Sequence, residues 1–593
     1  MEKGKLKVKA PTWNLGDFYK DIKDPQIEKD LKFLSQEIEK FVSNYEGKVG
    51  ELSSEQLGTS IKQYESLSEK LGYITSFSSL LFAQDMTHKE SASFYQHIQE
   101  ETTNLSTPLI FYTLELNSIP EKDLKEKMKE SSLLAHYKPW INNIRVFKDH
   151  QLKKDIETLF HELRAPASDN WVRLYDETFA LMKFPFNGKD FSIAEIINFS
   201  TSPDEETRKK ASACFGQRLK ENAPLFTIIF NTLSKEKQIG DKWRKYKNPI
   251  SSRNLENCVE DKVVDTLTRS VQDKYSVLSH RYYKLKSKWL GQEKLNYWDR
   301  NAPLPTDSQK QFSWDEAQEI VLSAYHDFSP EMADIGRQFF DKNWIDAEMR
   351  PGKDSGAFSH PTVPSVHPYI LQNYQGKIWD IMTLAHELGH GIHQVLSAKQ
   401  GYFMSDTPLT LAETASIFGE MLTFQSLLSQ VKTREEKKIL LAGKVGDMLN
   451  SIVRQISFSQ FERDFHDQRQ KKELSTEEIC SIWMKTQQDS LGPSVVLGGD
   501  YQYYWSYISH FFHVPFYVYA YAFGNCLVNS LYVTYENKLP NFQEKYIQML
   551  QSGGTLHHKD LLKPFNLDAT KEDFWYQGLD LVSKLIDELE DLS

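Results

Sequence analysis

Long hydrophobic runs are missing from this sequence of 593 residues. Its most aromatic stretch, residues 514–523, has about half the length that a membrane-spanning helix needs, so we expect no transmembrane protein. The first residues carry Lys3, Lys5, Lys7 and Lys9, and no apolar segment follows these lysines. We therefore expect no secretory signal at that end.

Cysteine is scarce as well. The four cysteines, Cys214, Cys258, Cys480 and Cys526, lie far apart and form no CxxC pair. This pattern argues against a disulfide framework and against a thiolate metal site. It predicts buried or free thiols in a reducing compartment, and we expect the cytoplasm.

An excess of positive charge is also absent. The chain has 71 Lys and Arg against 82 Asp and Glu, which gives a formal net charge of −11. Affinity for nucleic acid rests on clustered Lys and Arg, so we expect no nucleic-acid partner. No membrane partner is expected either.

Strand-like alternation is rare, and helical periodicity replaces it. Residues 27–42 place their apolar side chains on one helix face, and four other segments show similar patterns. These segments are residues 57–81, 193–219 with an interruption at Pro203, 263–290 and 573–592. The sequence predicts a mainly α fold without internal repeats or low-complexity tracts.

Residues 341–376 depart from this helical pattern. They contain Pro351, Pro361, Pro364 and Pro368 together with short apolar stretches, which predicts a small sheet or a long structured loop. A second change of pattern, at residues 184–194, suggests a division of the chain. We expect an N-terminal helical region, 1–190, and a second region, 191–593, that holds the candidate site.

The predicted helix of residues 377–399 carries the motif HELGH, with His386, Glu387 and His390. Residues four apart lie one turn apart on the same helix face, so both imidazoles can reach one cation. The position of Glu387 suits hydrogen bonding to a metal-bound water rather than to the metal. Because buried His and Glu are costly without partners, the motif on an apolar helix indicates a zinc site rather than chance. Catalytic zinc needs a third protein ligand and an open position.

Two residues are candidates for the third ligand. His393 shares the helical face of the His pair, but three ligands on two turns of a straight helix spread over about 10 Å. One ion with bonds of about 2.1 Å hardly gathers all three. Glu413 follows on a helix expected to begin near Asp406, in apolar surroundings where a cation or a salt bridge would offset its charge. Glu420, seven residues later, is a candidate hydrogen-bond acceptor for a ligand His.

The segments HELGHGIH and AETASIFGE together resemble the thimet-oligopeptidase-like metallopeptidases of family M3, in the oligoendopeptidase F branch. In that family the His pair and a Glu on the next helix bind zinc, and the motif Glu is the general base. The resemblance implies one zinc ion on His386, His390 and Glu413, with Glu387 as the base. Some assignments in this branch use the position of His393 instead, and helix geometry makes us prefer Glu413.

The resemblance extends over nearly the whole chain. Residues 169–177, 254–267 and 510–524 are similar to other stretches of the family. In the family, a His and tyrosines of the last stretch face the zinc and stabilise the oxyanion. This implies roles for Tyr517 and Tyr521.

The same stretch offers two histidines, His510 and His513, for the role of the family's His. If the stretch is helical, His510, His513, Tyr517 and Tyr521 form one stripe, although Pro515 favours a helix start inside it. We choose His510 over His513 by a narrow margin.

The function implied by the resemblance is zinc-dependent hydrolysis of internal bonds in short to medium oligopeptides. The implied architecture is two helical lobes around a deep substrate channel, with residues 191–593 as the catalytic metallopeptidase domain. One alternative is a carboxydipeptidase with the same zinc site and a positive group for the substrate's C-terminus. A non-catalytic peptide-binding protein is a weaker alternative, because Glu387 and all proposed ligands are present.

Overall fold

A computed structural model describes residues 10–304 and 311–593 of the chain. Lys3, Lys5, Lys7 and Lys9 lie outside the described residues. The first helices in chain order are α1 (Pro25–Tyr45), α2 (Ser54–Gln84), α3 (Lys89–Ser106), α4 (Ile110–Ser118), α5 (Glu121–Glu130), α6 (Ser132–His136), α7 (Lys138–Arg145), α8 (Lys154–Arg164), α9 (Asn170–Leu181), α10 (Ile193–Asn198), α11 (Glu205–Arg244), α12 (Ser251–Glu256), α13 (Asp261–Asp273) and α14 (Ser279–Trp289).

The helices continue in the C-terminal half. They are α15 (Trp314–Phe328), α16 (Pro330–Asp341), α17 (Ile378–Ser397), α18 (Tyr402–Ser405), α19 (Leu409–Ala412), α20 (Thr414–Gln430), α21 (Arg434–Ser451), α22 (Val453–Arg469), α23 (Thr476–Leu491), α24 (His510–His513), α25 (Tyr519–Glu536), α26 (Phe542–Gln551), α27 (His558–Leu562) and α28 (Glu572–Asp591). The prediction of a mainly α fold is confirmed.

The strands are short and form small sheets. They are β1 (Phe184–Phe186), β2 (Lys189–Phe191), β3 (Leu295–Asn296), β4 (Ile345–Asp346), β5 (Phe358–His360), β6 (Tyr369–Leu371) and β7 (Val495–Val496). β1 and β2 form an antiparallel hairpin, and β3 pairs with β7 in parallel. The order β4-β6-β5 makes a three-stranded sheet within residues 341–376, as the proline-rich pattern suggested.

The chain divides into two compact units, each built from three separate stretches. The first unit is Met1–Lys148, Gln309–Gln430 and Lys538–Asn566. The second unit is Asp149–Ser308, Val431–Asn537 and Leu567–Ser593. The expected boundary after residue 190 falls in β2, inside the second unit, so the division into 1–190 and 191–593 stays a prediction about sequence regions.

In the first unit, α17 packs against α20, α16 and α26. The ring of Phe418 in α20 lies 4.9 Å from that of Phe328 and 4.5 Å from that of Tyr546, measured between centroids. The Tyr546 hydroxyl also donates to the carbonyl of Thr414 across 2.9 Å. These buried contacts hold α20 beside the helix that carries HELGH.

In the second unit, an aromatic core joins α9, α11, α22 and the segment around α24. Phe230 stacks on Phe465 with ring centroids 3.8 Å apart, and Trp505 and Phe512 lie against the same ring. α25 packs on α28, where Gly578 allows a close approach to the backbone of Cys526.

Three segments for which a helix was considered are interrupted in the structure. Residues 263–290 form α13 and α14, separated by a 3-10 turn at Tyr275–Val277. The helix expected after Asp406 is split into α19 and α20. Residues 510–521 are likewise not one helix, because α24 ends at His513 and α25 begins at Tyr519.

The four cysteines are free thiols, with Cys480 and Cys526 buried. None of the helices in the described part of the chain combines the length and apolar composition that crossing a bilayer requires.

Candidate metal centre

Helix α17 presents the two histidines of HELGH on one face. Asp380 stabilises the start of this helix, because its Oδ2 accepts the backbone N–H groups of Gln375 and Lys377 at 2.8 and 2.9 Å. One turn further on, the rings of His386 and His390 lie with centroids 5.0 Å apart. The spacing of four residues therefore brings both imidazoles together, as the sequence predicted.

Glu413 completes a cluster of three possible ligands. Its Oε2 lies 3.3 Å from Nε2 of His386 and 3.4 Å from Nε2 of His390. The three ligand atoms all lie within 4.8 Å of one another. Ser416 also donates its hydroxyl to Oε2 of Glu413 across 2.8 Å. Ser416 was not identified from the sequence.

The backbone at Glu413 differs from the predicted continuous helix. Glu413 separates α19 from α20, with φ −75° and ψ 0°. The break puts Glu413 just before the first residue of α20 rather than in a helix interior. Its side chain thus leaves the end of the helix toward the two imidazoles.

A glycine allows α17 and α20 to approach closely enough for this contact. A Cβ atom added to Gly389 would lie 2.5 Å from the carbonyl oxygen of Ala415 and 2.7 Å from Cα of Ser416. Such contacts are too short for any side chain. Gly389 therefore determines the separation of the two helices that bear the cluster. The sequence signal was available, since glycine inside a helical pattern costs about 1 kcal/mol and needs a packing reason.

Glu420 lies behind the cluster. Its Oε2 is 3.3 Å from Nδ1 of His386, the ring nitrogen on the side away from Glu413. A metal-binding His usually donates its second ring N–H to a carboxylate, which fixes the tautomer and the ring orientation. The geometry agrees with the acceptor role that the sequence suggested for Glu420.

The charges of the cluster favour a cation. Burial alone would lower the pKa of His386, but its contacts with Glu413 and Glu420 raise that pKa to about 10. Burial likewise opposes ionisation of Glu413, yet His386 and His390 hold its pKa well below the usual range. The two carboxylates therefore create a local excess of negative charge around His386, which a bound cation would offset.

The donor set fits a zinc ion. Two imidazole nitrogens and a carboxylate oxygen are a known ligand set of catalytic zinc. Tetrahedral bonds of about 2.1 Å place neighbouring ligand atoms about 3.4 Å apart. In the structure, Oε2 of Glu413 lies 3.3 and 3.4 Å from the two imidazole nitrogens. The residues present thus fit the ion in chemistry and in spacing.

Glu387 lies beside the cluster without belonging to it. Its side chain is buried, with 7% of the residue exposed, and the backbone N–H of Ser359 in β5 hydrogen-bonds to its carboxyl. Burial raises the pKa of Glu387, and the neighbouring His386 and His390 offset this only in part. A carboxyl with a raised pKa is suited to accept a proton and to release it again.

His393 is not part of the cluster. It is buried, with 6% exposed, and burial lowers its pKa to about 4. The group of possible ligands around His386 and His390 contains Glu413 and not His393. The rise along the helix explains this, because His393 lies almost two turns from His386.

In the second unit, His510, Tyr517 and Tyr521 lie together. The Tyr521 hydroxyl is 3.3 Å from Nε2 of His510, and the rings of Tyr517 and Tyr521 have centroids 5.4 Å apart. The four residues do not form one helical stripe, because α24 ends at His513 and α25 begins only at Tyr519. The turn between these two helices nevertheless brings the side chains of His510, Tyr517 and Tyr521 together.

His513 points elsewhere. Its Nε2 lies 2.9 Å from Oδ1 of Asp176, and its Nδ1 lies 3.0 Å from the carbonyl oxygen of Ser509. The residue is exposed, whereas His510 is half-buried. Of the two histidines that the sequence left open, the structure groups His510 with the tyrosines.

Comparison with known proteins identifies similar chains. The model of peptidase family M3 matches residues 198–581, and that of oligopeptidase F matches residues 115–184. Oligopeptidase PepF of Bacillus subtilis is 26% identical over 599 residues, covering 99% of this chain and 88% of its own length. An oligoendopeptidase F homolog of Borreliella burgdorferi is 28% identical and covers 88% of this chain and 89% of its own.

Solved structures show the same fold. A chain from Chlamydophila abortus superposes with a TM-score of 0.84 at 24% identity, covering 98% of each chain. The oligoendopeptidase F of Enterococcus faecium gives a TM-score of 0.73 at 21% identity, covering 96% of this chain and 98% of its own.

Proposed function

Because the chain belongs to peptidase family M3 and is a peptidase of oligopeptides, we propose that it acts as a zinc-dependent endopeptidase. The observation that carries the proposal is the cluster of His386, His390 and Glu413, whose ligand atoms have the spacing of a tetrahedral zinc site. Internal bonds of short to medium oligopeptides are the proposed substrates.

The zinc ion would be held by His386, His390 and Glu413, one ion per chain. When bound, it supplies Lewis acidity that polarises the scissile carbonyl and makes a water molecule acidic enough to attack near neutral pH. Glu420 keeps the His386 ring in place through Nδ1. Ser416 orients Glu413 by donating its hydroxyl to Oε2.

Glu387 is the proposed general base. It accepts the proton of the attacking water at its carboxylate and delivers that proton to the leaving amine. Its raised pKa supports both steps, because the protonated form has to persist until the C–N bond breaks. The hydrogen bond from the Ser359 N–H limits the directions in which the carboxyl can turn.

Tyr517, Tyr521 and His510 are the proposed oxyanion donors. Their side chains combine two hydroxyls and one imidazole within a single cluster. Such donors act on the negative charge that develops on the carbonyl oxygen in the tetrahedral transition state. The oxyanion role of these three residues rests on the family resemblance.

The experiment that tests the function compares two forms of one decapeptide, with a free and with an amidated C-terminus. Products are identified by mass spectrometry, with and without phenanthroline. An endopeptidase cuts both forms at the same internal bonds, and the chelator stops both reactions. Loss of all cleavage in the amidated form, with only C-terminal dipeptides released from the free form, would instead identify a carboxydipeptidase.

We also propose that the protein works in the cytoplasm. The four free cysteines support a reducing compartment.

A further inference from the structure

The chain between α24 and α25 makes a tight turn in the second unit. The N–H of Tyr517 donates to the carbonyl of Val514 across 3.2 Å, so Pro515 and Phe516 occupy the two central positions. Phe516 has a φ of 61°. A positive φ at the second central position defines a type II turn, in which glycine is normally found. Since a side chain disfavours this backbone, the turn needs contacts that hold it.

Both ends of the central peptide unit have such a contact. The N–H of Phe516 donates to Oε1 of Glu462 across 2.7 Å, and the carbonyl of Pro515 accepts from Nε of Arg253 at 3.3 Å. Turning this peptide over would convert the turn toward type I and reverse both groups. The two side chains therefore hold the peptide in one orientation.

Glu462 is an unusual partner for a main-chain N–H. The residue is 0% exposed, and its Oε2 has no hydrogen-bond partner among the described residues. Burying a carboxyl in this way is costly. The ring of Phe516 is buried too and lies on the ring of His466 with centroids 4.7 Å apart. The proposed reaction uses none of these groups.

The turn also determines where two proposed catalytic hydroxyls lie. Tyr517 follows Phe516 directly, and its carbonyl accepts the N–H of Ala520 at 3.1 Å in the first turn of α25. That helix carries Tyr521, whose hydroxyl lies 3.3 Å from Nε2 of His510. A change at the Phe516 peptide would thus move both hydroxyls.

We infer that Glu462 is a positioning residue, which holds the Phe516 amide and thereby directs the hydroxyls of Tyr517 and Tyr521. The inference rests on the oxyanion role proposed above for these tyrosines. Glu462 itself has no contact with a reacting atom in the proposed reaction.

Two substitutions distinguish the effect of the hydrogen-bond acceptor of Glu462 from the effect of its side-chain packing. Glu462→Gln keeps an oxygen at the same reach, and Glu462→Met removes it at similar length. Burial raises the pKa of Glu462 to about 8, in spite of the bond from Phe516. The raised pKa favours the neutral carboxyl, so the neutral amide of Gln is a close substitute.

The first measurement is hydrogen exchange at the Phe516 amide, which does not depend on activity. Glu462→Gln keeps the protection of the wild type, whereas Glu462→Met loses it. Equal protection in all three proteins overturns the inference, because the carboxyl then does not hold the amide.

The second measurement is steady-state kinetics with a fluorogenic peptide on zinc-loaded enzyme. Glu462→Met lowers kcat about 10–100-fold, with KM within about threefold, because misplaced catalytic groups cost this much. Glu462→Gln restores kcat. Zinc content is unchanged in both variants. In a Tyr517→Phe, Tyr521→Phe background the Met substitution has little further effect on kcat, since the hydroxyls that it misdirects are gone.

Arg253, at the other end of the same peptide, provides a second test if Glu462→Met does not fold. Arg253→Met lowers kcat several-fold and Arg253→Lys, which keeps a donor, restores it. Equal kcat values in wild type and both Arg253 variants overturn the inference.

Two further outcomes distinguish a failure of the proposed oxyanion role from a failure of the inference about Glu462. If Tyr517→Phe and Tyr521→Phe keep full kcat, that role fails and the inference fails with it. If the tyrosine variants are impaired while Glu462→Met loses protection but keeps kcat, only the inference fails.

Discussion

Glu387 is buried beside two imidazoles, and its burial raises the pKa of its carboxyl. We predict that Glu387→Gln lowers kcat about 10²–10⁴-fold, the contribution of general acid–base assistance. Zinc stoichiometry stays at one per chain, because Glu387 is not one of the proposed ligands. Metal analysis and steady-state kinetics on the same sample measure both quantities. An unchanged kcat would remove Glu387 from the mechanism.

Glu413 and His393 differ in what they contact. Glu413 lies against both imidazoles, whereas His393 is buried outside the cluster. We predict that Glu413→Ala loses zinc or binds it far more weakly, while His393→Ala keeps a normal zinc content. Equilibrium dialysis against a zinc buffer measures the two affinities. Loss of zinc in the His393 variant alone would reverse the assignment.

Tyr517 and Tyr521 can be tested with a neighbour on the same segment. Tyr517→Phe and Tyr521→Phe keep the ring and remove the hydroxyl, and we predict that either lowers kcat about 10²–10³-fold with a smaller change in KM. The control is Tyr519→Phe. The Tyr519 hydroxyl accepts from Asn257 at 2.8 Å in the core, so its loss costs about 1 kcal/mol of stability and little activity.

The kcat values of the three tyrosine variants can also contradict the proposed oxyanion role. Similar kcat values for all three variants would mean that the segment only packs the core of the second unit.

At the scale of elements, the packing of α17 on α20 decides whether Glu413 lies close to His386 and His390. We predict that Gly389→Ala destabilises the protein by about 1–3 kcal/mol, because a methyl group there overpacks the helix contact. It also weakens zinc binding, since Glu413 moves away together with α20. Thermal unfolding and zinc titration measure the two effects.

Gly240 is a matched control for this substitution. It lies inside α11, and nothing stands within 4 Å of the place where its Cβ would be. Gly240→Ala therefore gains about 0.5–1 kcal/mol from helix propensity and leaves zinc binding unchanged. Equal effects at positions 240 and 389 would contradict the close-approach argument.

At the scale of the whole molecule, we expect the proposed zinc ion to stabilise the folded chain. A ligand that binds only the native state at 1,000 times its Kd stabilises that state by about 4 kcal/mol. We predict that chelation lowers the Tm of the wild type and leaves that of Glu413→Ala unchanged, because the variant has little zinc to lose. Calorimetry with and without chelator tests this. A wild-type Tm that does not respond to chelation would contradict the zinc centre.

Part of the molecule could be predicted from the sequence because it depends on near neighbours along the chain. The helical class and the approach of His386 and His390 follow from a repeat of 3.6 residues. The small sheet after α16 was similarly indicated by its prolines. Glu413 and Glu420 could be identified as candidates, since a carboxylate in apolar surroundings needs a partner.

Only the tertiary structure decided which distant groups meet. The break at Glu413, the close approach at Gly389 and the grouping of His510 rather than His513 with the tyrosines depend on packing between segments far apart in sequence. The positive φ of Phe516 is the strongest case, because Glu462 and Arg253 hold a turn that local propensity assigns to glycine. Local rules describe what a segment prefers, and long-range contacts outweigh that preference when they add more free energy than the strain costs.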